Sequence, residues 1–187
     1  QLVYDLARRC TSEVTVPVSV KIRLNSDLQQ TVDLCRSLTE MAGVKTITVH
    51  GRTPSQRPSD PVDYEAIRVI KAAMQSGVKI FANGDIFSLQ DAQRVHQMTG
   101  VDGVMAARGI LVNPSLFSRT NTSRLQLARE YVDLAVAYGT GFHITHHHVS
   151  QMLTETPTGE GSLPANLHKP FNYVTSFSGI VDFLQDL

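Results

Sequence analysis

The sequence has no charge of one sign to spare: its 187 residues carry 17 Lys+Arg and 17 Asp+Glu. The long basic stripe that marks bulk nucleic-acid binding is missing, so any contact with RNA must use local patches. Long apolar runs are missing too. None approaches a membrane span, and none reads as a signal peptide. Cysteine is scarce. Cys10 and Cys35 both fall in helix-like segments, which excludes a disulfide framework and fits a reducing compartment. With 42% apolar and 18% charged residues, the expectation is a cytoplasmic globular chain, with the nucleus as a second compartment.

What is present is an alternation. Leu2, Val3, Leu6 and Ala7 share one face of an opening helix, and Pro17 ends it. Val18–Leu24 is β-branched and bounded by Pro17 and Asn25, so it reads as a strand. Asp27 or Ser26 can cap a helix over about 28–42, and Gly43 sits where a left-handed C-terminal residue belongs. Lys45–Val49, Val78–Ala82 and Val101–Ala106 read as further strands, separated by helices over about 64–77 and 89–99. Strand and helix alternate every 25 to 30 residues, which argues for a parallel sheet. The rival, a small doubly wound sheet, would carry a glycine-rich first turn, and none is present.

From about Asn121 the pattern changes to helices. Ser123 caps one that Gly139-Thr-Gly141 breaks, and a second covers about 142–154. Thr156 to Pro164 reads as a mobile polar insertion, and a last helix covers 171–187. Residues 1–120 hold 14 Lys+Arg against 11 Asp+Glu, a net of +3; residues 121–187 hold 3 against 6, a net of −3, with five of the seven histidines. The expected fold is α/β, the C-terminal half of a (β/α)8 TIM barrel over 1–120, followed by a helical domain over 121–187. Four strands leave two unpaired sheet edges, through which the chain is expected to associate. Opening at Gln1 inside a helical pattern, the chain reads as the later portion of a longer protein.

Strands in such a barrel end at the face that carries chemistry, and a phosphate commonly binds after the last two. Asn83-Gly84 and Ala107-Arg108 stand at those ends. Their backbone N–H groups, with the Arg108 guanidinium, would suit a phosphate-bearing cofactor. Lys21 and Arg23 alternate along the first strand and point the same way; Lys21 can reach an electron-rich ring or a phosphate. His50 follows a strand directly and can hydrogen-bond a flavin ring, or only loop carbonyls. Arg52 and Arg57 lie in or beside a Pro-rich loop and could meet a polyanion. In the histidine group, His143 and His147 form the only i, i+4 pair, and no Cys or carboxylate stands nearby at ligand spacing, so no metal site is expected.

Val20-Lys-Ile-Arg-Leu24, Val49-His-Gly-Arg-Thr53, Ala82-Asn-Gly-Asp-Ile86 and Gly103-Val-Met-Ala-Ala-Arg-Gly109, in that order, resemble the tRNA-dihydrouridine synthases. The resemblance is nearest to the eukaryotic type acting on D-loop uridines 20a and 20b. It implies an FMN enzyme that reduces uridine to 5,6-dihydrouridine in tRNA, with NADPH or NADH as reductant. It implies that Lys21 and His50 contact the flavin ring system, and that Asn83, Gly84, Asp85, Ala107 and Arg108 line its phosphate and ribityl end. It implies a helical tail that helps hold tRNA. His143 and His147 on that tail, and Arg52 and Arg57 on the barrel side, are candidate substrate contacts read from the residues, with structural histidines and solvated arginines as the other reading. The family usually has Gly where this chain has Ala107. Its proton-donating cysteine lies in an Asn-x-Gly-Cys-Pro-like motif that this chain does not contain, so no residue here is named as the catalytic acid. A catalytically inactive product that retains RNA binding is the alternative.

Overall fold

The structure, a computed structural model, describes residues 2–118, 120, 122–154 and 163–187. The chain divides into two compact units. The first comprises residues 1–86 and 90–106, and the second residues 87–89 and 107–187. Among the described residues, no helix is long and apolar enough to cross a membrane.

In the first unit, α1 (Leu2–Glu13) precedes four strands: β1 (Ser19–Arg23), β2 (Thr46–His50), β3 (Lys79–Asn83) and β4 (Gly103–Met105). Helices α2 (Leu28–Glu40), α3 (Tyr64–Ala73) and α4 (Leu89–Thr99) connect them. The sheet is entirely parallel in the order β1-β2-β3-β4. Strand order follows chain order without a reversal, so the sheet has no switch point of the doubly wound kind.

Local chemistry explains the elements. Asp27 accepts the Gln29 N–H and starts α2; Asp63 accepts the Ala66 N–H and starts α3. Gly43, at φ +74°, follows α2 where a side chain would be strained. Ile47 and Val49 of β2, with Ile80 and Ala82 of β3, are fully buried. So are Cys35 and Leu38 of α2, Ile67 and Ile70 of α3, and Val95 of α4. These residues make the apolar layer between sheet and helices, as a parallel sheet covered by crossover helices requires. The other face of the strands keeps its polar residues. The expected helix over 64–77 stops at Ala73, because Met74 is extended.

The second unit is helical: α5 (Arg108–Val112), α6 (Arg124–Ala137), α7 (Phe142–Thr154), α8 (Ala165–Asn172) and α9 (Phe177–Gln185). Ser123 caps α6 by accepting the Gln126 N–H. The core is Ala128, Val132, Val149, Met152, Leu153, Leu163, Phe171, Ile180 and Leu184. One expectation needs correction. The single helix read over 171–187 is the end of α8 and a separate α9. The Tyr173 N–H turns back to Pro170 O, and Ser176, extended, caps a fresh start by accepting the Gly179 N–H. The insertion read over 156–164 lies, up to residue 162, outside the described residues.

Candidate functional site

Register decides which side chains share a face. Arg23 pairs with His50, His50 with Asn83, and Asn83 with Met105. Lys21 pairs with Thr48, and Thr48 with Phe81, one row earlier. Side chains two apart in a strand point the same way. Lys21, Arg23, His50 and Asn83 therefore stand on one face of the sheet, at the C-terminal ends of three adjacent strands. The face opposite holds Ile22, Val49 and Ala82.

His50 reports the electrostatics of this face. Its pKa is lowered from the ordinary 6.5 to about 4. Burial is the largest cause, followed by the positive charges of Arg23, Lys21 and Arg52; Asp85 opposes them. The imidazole is therefore neutral at pH 7. One ring nitrogen can donate and the other accept, with two strand-end cations beside it.

The turn after β3 is held at several points. Asn83 O accepts the Gly51 N–H at 3.1 Å, and Gly84 O accepts the Tyr64 hydroxyl at 2.7 Å. The Asn83 side-chain amide donates to Met105 O at 2.8 Å. Among the described residues, every peptide bond is trans. In a trans peptide the C=O and N–H point in opposite directions. The N–H of Gly84 therefore points away from Gly51, and that of Asp85 away from Tyr64. Gly84 has φ +131° and Asp85 φ +47°. A Cβ on Gly84 would meet Val62 at 2.9 Å and His50 at 3.3 Å, so the turn lies close against both. With the Asn83 carbonyl tied back to Gly51, the Gly84 N–H lies on the far side of its peptide, where it can act as a donor to an anion.

Arg52 does not face solvent in the Pro-rich loop; it is 1% exposed. Its Nε donates to Asp60 O at 2.6 Å, and Nη1 donates to Asp85 Oδ1 at 3.1 Å. Nη2 donates to Asp85 Oδ2. The guanidinium is spent within the protein. Arg57 is exposed, with its backbone N–H bound to Asp60 Oδ2 at 2.6 Å. Tyr64, Val62 and the Asp60 carbonyl were not singled out from the sequence. The register could have found the Arg52–Asp85 pair. Each residue lies two places beyond the paired His50 and Asn83, so the opposite charges meet across adjacent strand ends.

In the second unit, Ala107 precedes α5 and makes no side-chain cap, and Arg108 opens that helix. The Arg108 guanidinium lies over the Phe87 ring, 5.3 Å from its centre. The histidine group of α7 splits by environment. His143 and His147 are exposed. His146 is half-buried; its ring stacks on Phe171 at 4.6 Å, and its Nε2 lies 3.0 Å from Phe171 O. His148 meets Tyr131 edge-on at 5.7 Å. Among the described residues, no group of three or more His, Cys, Asp or Glu is placed to hold a metal.

The dihydrouridine synthase (Dus) family profile matches residues 1–179. A tRNA-dihydrouridine(20a/20b) synthase (NAD(P)+)-like protein from mouse is 41% identical over 189 residues, covering 100% of this chain and 55% of its own length. Its human counterpart is 39% identical and is covered over 56% of its length. A tRNA-dihydrouridine(20a/20b) synthase (NAD(P)+) of Saccharomyces cerevisiae is 40% identical over 73% of this chain and 37% of its own. The chain thus spans about half the length of the curated relatives it matches in full. Among solved structures, a phosphoenolpyruvate phosphomutase from Streptomyces platensis subsp. rosaceus aligns with 98% of this chain and 76% of its own, at TM-score 0.45 and 15% identity.

Proposed function

The chain belongs to the dihydrouridine synthase family, and from that premise we propose that the protein in its full length reduces uridine to 5,6-dihydrouridine in the D-loop of tRNA. FMN is the proposed cofactor, and NADPH or NADH its reductant. The observation that carries this reading is the shared face of Lys21, His50 and Asn83 at the C-terminal strand ends, with the Gly84 turn beside it.

The residues fit such a cofactor by their chemistry. A backbone N–H such as that of Gly84 suits a phosphate. A neutral His50 can hydrogen-bond a ring carbonyl without adding charge, while Lys21 supplies charge next to an electron-rich ring. Asp85, Ala107 and Arg108 complete the proposed set, Arg108 as a charge-assisted partner of the phosphate. FMN, when bound, supplies hydride chemistry that no side chain can. The chain's own task is to bind and orient it.

The sequential parallel sheet supports reading the first unit as part of a (β/α)8 barrel, with the site at the C-terminal strand ends. Residues beyond about 120 are assigned to a helical tRNA-binding domain, with exposed His143 and His147, and Arg57 on the barrel side, as proposed RNA contacts. Arg52, being buried, supports the site from within.

The test is direct. Purified full-length protein is given FMN, NADPH or NADH, and tRNA lacking dihydrouridine. The product is cut with a base-specific ribonuclease and the oligonucleotides are sequenced by mass spectrometry. The expected result is uridine that has gained two hydrogens, at a D-loop position. Flavin-loaded protein that leaves every uridine unchanged overturns the proposal.

A further inference from the structure

Arg52 poses a question that ligand binding does not answer. Its guanidinium is buried, and one N–H from each of its three nitrogens is committed to Asp60 O or to an oxygen of Asp85. Asp85 keeps 35% of its side chain exposed, and an ion pair open to solvent on one side adds little net stability. Its consequence is geometric.

That consequence falls on Asp85. With φ +47°, Asp85 is the only non-glycine residue with positive φ among those described. Left-handed backbone costs a residue with a Cβ about 1 kcal/mol or more. Something must hold it there, and the two-pronged grip of Arg52 on both carboxylate oxygens fixes the position and the plane of the side chain. The Nε bond to Asp60 O anchors the guanidinium to the loop after β2, and Arg52 O accepts the Leu24 N–H at 3.2 Å. The clamp thereby ties the ends of β1, β2 and β3 together. The Asp85 conformation, with the Tyr64 bond to Gly84 O, sets where the Gly84 and Asp85 amides point.

We propose that Arg52 is a positioning residue for the phosphate end of the flavin: by gripping Asp85 it keeps the Asn83–Asp85 turn in the conformation in which the Gly84 N–H can serve an anion. This rests on the cofactor reading above. It touches no ligand itself, and its grip on Asp85 acts first on the phosphate end.

The ratio of FMN to riboflavin affinity isolates that effect, since riboflavin lacks only the phosphate. Full-length protein is titrated with each flavin by fluorescence, and thermal melting is recorded in parallel. Arg52→Gln should lower FMN affinity about tenfold, the scale of one misaligned backbone hydrogen bond to a charged phosphate, and lower riboflavin affinity much less. Adding Asp85→Gly to Arg52→Gln should recover part of the lost ratio, because glycine enters positive φ without the steric cost that Asp85 bears. If Arg52→Gln does not fold, Arg52→Lys keeps the charge without the paired fork and carries the same comparison. Equal weakening of both flavins, or no recovery with glycine at 85, overturns the inference and leaves Arg52 as scaffold. Wild-type protein that binds neither flavin overturns the cofactor reading itself, an outcome distinct from a selective loss.

Discussion

Asp102 accepts the backbone N–H of Ile80 at 2.8 Å, closing the start of β4 against β3 from outside the ladder. The same carboxylate takes Lys71 Nζ at 2.6 Å and Lys79 Nζ at 3.2 Å. Burial alone would push the Asp102 carboxyl up; the bonds from Lys71, Ile80 N–H and Lys79 outweigh it and hold the group well below the usual carboxylate range.

Asp102→Ala should therefore destabilise the protein by about 2 kcal/mol, the scale of hydrogen bonds to a charged group. The sign of the pH dependence follows. A depressed carboxyl contributes fully above its unfolded pKa, near 4, and the contribution disappears as pH falls below that. Urea unfolding of wild type and Asp102→Asn at pH 7 and pH 3 checks it. The difference between the two proteins should shrink at pH 3. An equal difference at both would mean that charge plays no part.

Glycine positions give a graded series. Gly43 has φ +74° with nothing within 4 Å of an added methyl, so Gly43→Ala should cost only the left-handed strain, about 1 kcal/mol. At Gly51 a Cβ would meet Val62 at 2.6 Å and the Asp63 carbonyl at 2.9 Å. The Asp63 N–H already bonds Gly51 O at 2.7 Å, so neither side can give way. Gly51→Ala should cost more, about 2–3 kcal/mol. Gly84→Ala combines positive φ with a 2.9 Å approach to Val62 and should also abolish flavin binding. Denaturant midpoints of the three variants test the order.

The neutrality of His50 depends on its neighbours. Lys21→Met removes one of the cations that lower its pKa, so the imidazole should titrate at a pH above about 4. Burial, the larger cause, remains, so the value should stay below the ordinary 6.5. A depressed histidine makes the native state lose stability as pH falls from about 6.5 toward the native value, because only the unfolded chain takes the proton there. NMR titration of the His50 ring in both proteins is the measurement. An unmoved His50 in Lys21→Met would remove Lys21 from its surroundings.

Strand and helix order was legible because apolar periodicity and punctuating Gly, Pro and Asp residues are local signals. Ser123 and Asp27 illustrate it, each capping the helix expected of it. The strand ends were legible to within one residue: the sequence pattern places His50 and Asn83 directly after their strands, and the structure makes them the last residues of β2 and β3. What local signals could not supply was pairing across distance. Arg52 reads as a loop cation until Asp85, 33 residues on, is set opposite it. Tyr64 reads as a helix apolar residue until its hydroxyl is seen to bond Gly84 O. The break between α8 and α9 was missed because Phe171 and Val174 continue an apolar pattern across it, and only the Ser176 cap betrays the restart.

Arg108→Ala should weaken FMN binding more than His50→Ala in full-length protein. A guanidinium partner of a phosphate makes a charge-assisted bond, while a neutral imidazole makes an ordinary one. The expected loss for Arg108→Ala is roughly 1.5–3 kcal/mol, about ten- to hundredfold in affinity. His50→Ala should lose about 1 kcal/mol. Flavin fluorescence titration decides it, and wild-type affinity in Arg108→Ala would take Arg108 out of the phosphate site.

The α7 histidines should separate into two behaviours. His146 stacks on Phe171, itself fully buried, and its ring nitrogen lies against Phe171 O, so His146→Ala removes an aromatic contact and a hydrogen bond together. A loss of about 2–3 kcal/mol is expected, seen as a lower melting temperature. His143 and His147 are exposed on one side of the same helix, and changing both to Gln should move stability by no more than about 0.5 kcal/mol. Residues 121–187 carry 3 Lys+Arg against 6 Asp+Glu, so tRNA cannot be held there by bulk charge, and individual contacts must matter. The double Gln variant should therefore bind tRNA more weakly than wild type at unchanged stability. Filter binding with melting controls reads both. Unchanged tRNA affinity in that variant would take His143 and His147 out of the RNA interface, leaving α7 a purely structural helix.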